Sequence, residues 1–519
     1  MEYYGRVKSY DVAVIGAGHN GLACAALLAK AGHSVAVFEN NPVLGGATLS
    51  ERDVWPGYTV STASYVCSLL DPWLIEELDL AAHGYSAYRK DPTTFTPLAD
   101  GRSLLLGRDA AANAREVAAF SERDVDGLLG YDAEISRLGS ELFETFSDAQ
   151  PRFDRFDPGT QAALRGSAAS LVERFFETPA LQATIATDGL IGTYLGPRDS
   201  GTGYVLAHHA AGRALGIQGA WGFVRGGMGA VARALAGAAR AHGAVIFEGA
   251  PVTHISLDLE GRANGIVLGD GREIAATAIA SNAHPHTTFA KLVGEAVLEE
   301  RVAGGATLVE KLSAWKTVGP SVKLNLALGE LPNFVARPGS EPQAHHSATI
   351  HITPSLDFLQ DACESARAVG ESAVPMLECF LQTPTEPDLA PAGKHILSIF
   401  AQYFPYDREG GWTPGRREAI ADKIVGLLAE YAPNIPGAIE GRQLLAPPDL
   451  EARFGLVGGH IFHGELLPGQ IFEERFATRT PVRGLYLCGS GAHPGGCVSG
   501  FPGKRAAEAI ALDLVTHAS

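Results

Sequence analysis

Three glycines and one acid near the start of the chain carry the clearest chemistry. They lie in residues 11–47, DVAVIGAGHNGLACAALLAKAGHSVAVFENNPVLGGA. The run Gly16-Ala17-Gly18-His19-Asn20-Gly21 has the spacing that a diphosphate needs. Gly16 turns the chain, Gly18 lets the backbone approach the phosphates, and Gly21 lets a helix pack close to a sheet. Glu39 closes the next apolar run, where an acid accepts hydrogen bonds from ribose hydroxyls. Near the other end, Gly489-Ser490-Gly491 and Gly495-Gly496-Cys497-Val498-Ser499-Gly500 precede a helix, whose free N–H groups and dipole favour negative charge.

Proton transfer has fewer candidates. His460 and His463 stand in GGHIFHGEL, on an expected strand leading to the second glycine stretch, and are the first choices for acid–base work or substrate orientation. Gln402 and Tyr403 end an apolar run and are placed to hydrogen-bond a substrate. Lys323 interrupts the apolar run PSVKLNLAL, and strand alternation allows it to face either the cofactor side or solvent. His208 and His209 are adjacent, so on a helix at most one faces a given pocket. No carboxylate lies at metal-ligand spacing from them, and no metal site is expected.

These residues need elements to hold them. A strand over 12–15, a helix over 22–31 and a strand over 34–38 make the βαβ unit that binds an ADP moiety. Helical periodicity over 122–145 and 161–178 suits a cap over a pocket. A helix over 228–242 leads to a strand through 245–255. A hairpin over 265–268 and 272–279 then turns at Asp270-Gly271 and runs into Ser281-Asn282-Ala283. Strands over 322–328, 348–352, 376–382 and 395–403 and a helix over 416–431 form a second mixed block. A strand over 484–488 and a helix from about 503 close the chain. The expected fold is α/β. A discontinuous dinucleotide domain (1–75, 215–300 and 455–519) accompanies an α+β substrate domain with a helical cap (76–214 and 301–454).

Bulk properties narrow the class. With 519 residues, 46% of them apolar, the chain builds a sizeable core and is not disordered. A net charge of −17 speaks against nucleic acid and against electrostatic attachment to anionic lipid, while apolar docking to a membrane stays open. The six cysteines (Cys24, Cys67, Cys363, Cys379, Cys488 and Cys497) form no CxxC pair and read as packing residues in a reducing compartment. The N-terminus is polar and no apolar run spans a bilayer, so a cytoplasmic setting is expected, with peripheral membrane contact open. Oligomeric state is not set by the sequence.

Further residues carry a family resemblance. The doublet Gly45-Gly46, followed by Ala47, resembles that of FAD-binding proteins of the glutathione-reductase and amine-oxidase type, where it lies along the diphosphate and ribityl chain. Asn40 and Asn41 stand where that pattern has a basic residue. GAGHNGL, GAWGFVRGGMGA, GLYLCGSGAHPGGCVSGFPG and the phrases SYVCSLLDP, DGLIGTYLGP, GTGYVLAHH and GGHIFHGEL resemble the phytoene-dehydrogenase-related FAD flavoproteins over nearly the whole chain. That group includes the pyridine nucleotide-disulfide oxidoreductase domain-containing protein 2 type and CrtO-type carotenoid ketolases.

The resemblance implies non-covalent FAD in a Rossmann-type domain. Gly16 to Gly21, Glu39, Asn40 and Gly45 to Ala47 would hold its ADP and ribityl parts, and the backbone at Val252 its adenine. Ser281, Asn282, Gly489, Ser490, Gly496, Cys497 and Val498 would lie along the cofactor sheet and the flavin. Three positions depart from the family pattern: His460 for Asn, Cys497 for Gly, and Phe501 for a small residue at the pocket mouth. They imply a pocket reshaped for a particular substrate. With one dinucleotide fingerprint and no CxxC, neither disulfide reduction nor an NAD(P)H domain is expected. The expected activity is hydride removal from a hydrophobic organic substrate, by C–C or C–N desaturation, with electrons passed to oxygen or a quinone-like acceptor. A redox-neutral isomerase using reduced FAD and a flavin-binding interaction protein are the competing readings. A deep apolar cavity favours an enzyme, and a plugged one the interaction protein.

Overall fold

The computed structural model describes residues 8–518. In the strand Lys8–Ile15, Val12, Ala13 and Val14 are all fully buried, as a strand covered on both faces requires. Val35–Phe38 and Glu273–Ser281 flank it in parallel, and Val245–Phe247 and Leu485–Leu487 flank those. The register pairs Ile15 with Phe38 and with Ser281, Phe38 with Phe247, and Ser281 with Leu487. The carboxyl ends of all five strands therefore come out along one edge, which is where open α/β sheets bind ligands. Gly16, Glu39 and Asn282 are the first residues past it.

An antiparallel hairpin, Val252–Leu257 with Ala263–Leu268, completes seven strands. The strand expected over 245–255 is thus two strands. Gly249, at φ 62°, turns the chain between them, and Ala250 N–H donates to the Glu39 carbonyl at 2.7 Å. The helix His19–Lys30 is rich in alanine, which lets it pack closely on Gly229–Ala241 and Phe501–Ala518.

The second sheet also has seven strands. Its order is Ile439–Leu445, Ser321–Leu328, His395–Gln402, Met376–Leu381, Thr349–Ile352, Thr94–Pro97 and Ser103–Leu106. The register sets Lys323 opposite Phe400 and Phe400 opposite Glu378. Directly opposed residues share a face, so these three side chains form one row. The other face buries Leu324, Ile399 and Leu377 under the helix Pro414–Tyr431.

A helical layer covers the face of that row. Its longest member, Glu122–Thr145, spans the expected residues and is capped by Ser121, whose hydroxyl accepts from Asp124 N–H. The region expected to be helical over 161–178 is broken. One helix stops at the C-cap Gly166, a short one spans Ala168–Val172, and another starts at Pro179, a residue suited to a first turn. Among the described residues no helix is long and apolar enough to cross a membrane.

Candidate cofactor and substrate cavity

A cavity of about 520 Å³ lies between the edge of the first sheet and the row on the second. The glycine turn forms one wall. Gly16 holds φ at 89°, a backbone that favours glycine, and a Cβ on Gly18 would come within 2.6 Å of the Asn282 amide. The helix that follows carries no side-chain cap and no acid in its first turn, which leaves its N-terminus to a ligand. Glu39 is fixed by its neighbours: Oε2 accepts from Ala17 N–H at 2.7 Å and Oε1 from Asn41 N–H at 2.9 Å. Gly16, Gly18, His19, Asn20, Glu39, Asn40, Gly45, Gly46, Ala47, Val252 and Asn282 all line the cavity, with Ser490, Cys497 and Val498.

The helix Pro447–Phe454 closes the Glu39 end from the second sheet's side. Asn41 Nδ2 donates to the Arg453 carbonyl at 3.2 Å, and the Arg453 guanidinium pairs with Glu51. Arg453, on an element distant in sequence, thus lines the same cavity with its charge offset by Glu51.

Imidazoles form the middle wall. His19, His284 and His463 line it, with His19 Nε2, His284 Nε2 and His463 Nδ1 unpartnered. Burial pushes His19 down to about 4 and His463 to about 3, and the Arg475 guanidinium adds to the shift at His463. His284 is also held well below the ordinary imidazole range by burial and by His463. Arg475, buried, fixes this wall by donating to the carbonyls of Phe462 (2.6 Å), Ser490 (2.8 Å), Gln470 (3.0 Å) and Glu465 (3.1 Å). The sequence reading missed it. The segment holding His460 and His463 is not the expected strand but a run of turns, with Gly458, Gly459 and His463 at φ 65°, 68° and 58°.

The floor is the row of the second sheet. Lys323 and Glu378 face the cavity on either side of Phe400, and Tyr65 lies over them. Tyr65 donates its hydroxyl to Glu378 Oε1, and Lys323 Nζ sits 3.7 Å from the Tyr65 ring centroid. Burial pushes Lys323 down to about 7, against the pull of Glu378. Burial also raises Glu378, against the Tyr65 hydroxyl and Lys323. Ile191, Trp221, Ile461 and Phe462 supply apolar walls. His209 lines the cavity and His208 does not. Cys497 holds φ at 74°, a backbone that favours glycine, with Sγ 3.9 Å from His209 Nε2. Burial pushes its thiol up to about 12.

Several expected site residues lie elsewhere. His460 is buried behind the wall, with Nδ1 accepting from Phe462 N–H at 3.2 Å and Nε2 at 3.6 Å from Glu465. Gln402 shares the face of Phe400 but its amide is consumed: Oε1 accepts from Gly192 N–H (2.7 Å) and the Ser321 hydroxyl (2.8 Å), and Nε2 donates to the Leu190 carbonyl (3.0 Å). It ties the helical layer to the sheet instead of facing the cavity. Tyr403 is bound to the same stretch of the helical layer, donating to the Leu195 carbonyl at 2.6 Å and packing on Tyr194. Phe501 is buried edge-on between Phe143 and Phe146 and does not reach the cavity mouth. Ala17, Gly21, Ser281, Gly489 and Gly496 stand behind the lining. Ala17 serves Glu39, Ser281 bonds Thr288 at 2.7 Å, and a Cβ on Gly489 would meet the Asn282 carbonyl at 2.6 Å. Gly21 and Gly496 likewise allow close approach, of the Gly16 carbonyl and of Phe462. Among the described residues no group of three or more His, Cys, Asp or Glu is placed to hold a metal ion.

Residues 21–292 match the flavin containing amine oxidoreductases. The chain is also 38% identical to pyridine nucleotide-disulfide oxidoreductase domain-containing protein 2 of Rattus norvegicus, over 97% of this chain and 94% of that protein. The chain belongs to the flavin containing amine oxidoreductase family. Hydroxyneurosporene desaturase of Cereibacter sphaeroides is 28% identical over 98% of each chain. A solved oxidoreductase from Methanosarcina mazei shares the fold, with a TM-score of 0.61 at 18% identity over 96% of this chain and 99% of that one. As a flavin amine oxidoreductase, this protein is an oxidoreductase enzyme built on a dinucleotide-binding sheet and a second mixed sheet.

Proposed function

We propose that this protein binds FAD in the cavity and removes a hydride from an apolar organic substrate held over Lys323, Phe400 and Glu378. The observation that carries the reading is that one cavity reaches from Glu39 to Lys323. The residues fit the cofactor. Each Glu39 oxygen accepts one backbone N–H and keeps lone-pair sites for ribose hydroxyls. The uncapped helix start suits the diphosphate. Asn20 Oδ1 and the imidazole nitrogens of His19, His284 and His463 are buried without partners along the same wall. Once bound, FAD supplies a two-electron acceptor.

The chain's own groups supply position and proton handling. Ile191, Trp221, Ile461 and Phe462 exclude water from the substrate end. Lys323, held down to about 7, is neutral in a large fraction at physiological pH and takes a proton at Nζ. His463, at about 3, is then a neutral imidazole and a weak base, so it orients and does not deprotonate. The reaction is desaturation or oxidation at a carbon, with oxygen or a quinone-like compound as final acceptor. Free cysteines fit a reducing, cytoplasmic setting, and an apolar substrate fits peripheral contact with a membrane.

Holoprotein mixed without oxygen with fractionated lipophilic metabolites tests this. Bleaching of the flavin absorption by one fraction is the expected result. Conversion of a fraction only after chemical reduction of the flavin, with no net bleaching, would replace the oxidoreductase reading with an isomerase. No response in either arm would favour a binding role.

A further inference from the structure

The cavity floor holds one acid and one base, each with an unused hydrogen-bonding atom. Lys323 and Glu378 sit on either side of Phe400, so their α-carbons stand about 10 Å apart, two strand spacings. Lys323 Nζ has no hydrogen-bond partner, and neither does Glu378 Oε2. The two side chains are only 3% and 0% exposed. A buried charged group left unsatisfied is costly, which points to a ligand that completes it.

Charge balance narrows the ligand. Below about pH 7, where Lys323 carries its proton, it and Glu378 offset each other beneath Tyr65, and Asp188, the other acid near Glu378, is pushed well up by burial and favours its neutral form. A carboxylate or ammonium head would add an uncompensated charge to a dry floor, whereas a neutral head keeps the balance. The two unused atoms differ in kind, since Nζ donates and a carboxylate oxygen accepts. A hydroxyl meets both at one oxygen, and an ether or a ketone meets only the donor. The walls above are the apolar side chains of Ile191, Trp221 and Phe462.

We propose that this floor recognises the hydroxyl of a lipophilic alcohol, whose oxygen accepts from Lys323 Nζ and whose hydrogen is donated to Glu378 Oε2. The inference rests on the cavity being the substrate site of a flavoprotein. Tyr65 becomes a positioning residue, because its hydroxyl fixes the Glu378 carboxyl and its ring seats the Lys323 ammonium.

The test is a ligand series on flavin-loaded protein at about pH 6, where Lys323 carries its proton, with affinities from ligand-observed NMR: 1-octanol, methyl octyl ether, octylamine and octanoate. The alcohol is expected to bind about ten-fold tighter than its methyl ether, since the ether leaves the buried acceptor unpaired, and tighter than both ions. Equal affinity for alcohol and ether, or a preference for either ion, overturns the proposal. In the double variant Lys323→Met/Glu378→Leu, which removes both charges together, the alcohol's advantage should vanish while flavin content is kept. A surviving advantage also overturns it. If the double variant does not fold, the wild-type series decides alone. A protein that takes up no flavin would defeat the FAD reading, while the alcohol-to-ether ratio would still judge the floor.

Discussion

The two ends of the cavity are built by opposite means. At the cofactor end, backbone, glycine and neutral imidazole do the work, and the contributing residues sit mostly within thirty-odd positions of one another in 16–48. At the other end, opposite charges are buried on two strands that flank a third, and Tyr65 joins them from far away in sequence. The first arrangement suits an anionic ligand because the N–H dipoles of an uncapped helix start face it. The second is tuned to exclude charge because its own charges already cancel. One cavity thus offers two chemically distinct ends.

The sharpest way to break this contrast is at the glycine turn. Gly18→Asp places a side chain against the Asn282 amide and a negative charge where the diphosphate belongs, so flavin retention should be abolished. Full visible flavin absorption in the purified variant would contradict the cofactor site. At the other end, Lys323→Met should leave flavin content intact and slow anaerobic bleaching by substrate about 10²–10⁴-fold, the usual weight of a general acid–base group. An unchanged rate would remove Lys323 from the chemistry.

The pH profile sharpens the same point. Below about 7 Lys323 carries its proton and cannot accept another, so bleaching should rise with pH through that region and level off above it. The limb should disappear in Lys323→Met. Gln402→Leu should act on the scaffold alone. It leaves Gly192 N–H and the Leu190 carbonyl unpaired, and a loss of about 1–3 kcal/mol in denaturant unfolding is expected with flavin content kept. The smallest effect belongs to His463→Asn. Asparagine accepts the left-handed backbone at φ 58°, and the pH profile should not move. A shifted profile would return the acid–base role to His463.

The cofactor end was legible because its signals are local. The turn, the alanine-rich helix and Glu39 follow one another in the chain, and the long cap helix announces itself by period. The floor was half legible. Lys323 drew notice as a charge inside an apolar run, yet only register decides that it meets Phe400 and Glu378. Glu378 sits in the equally apolar run Met376–Leu381 and carried the same signal unread. Gln402 and Tyr403 misled because a strand end looks the same whether its amide meets a ligand or a neighbouring helix. The turns around His460 misled for a different reason. Their shape depends on Arg475, whose carbonyl partners Phe462, Glu465, Gln470 and Ser490 are near in the chain but at spacings that match neither helix nor strand.

The helix Pro447–Phe454 leaves the second sheet to cover the Glu39 end of the cavity, which belongs to the first. A molecule lying there is gripped from both sheets at once, so its binding energy is also docking energy between them. At a hundred-fold excess over its dissociation constant, such a ligand adds about 2.7 kcal/mol to folding stability. The lifetime of this polypeptide against proteolysis is thereby tied to the supply of that ligand: a cell short of it would hold less of the protein, not merely an idle form of it.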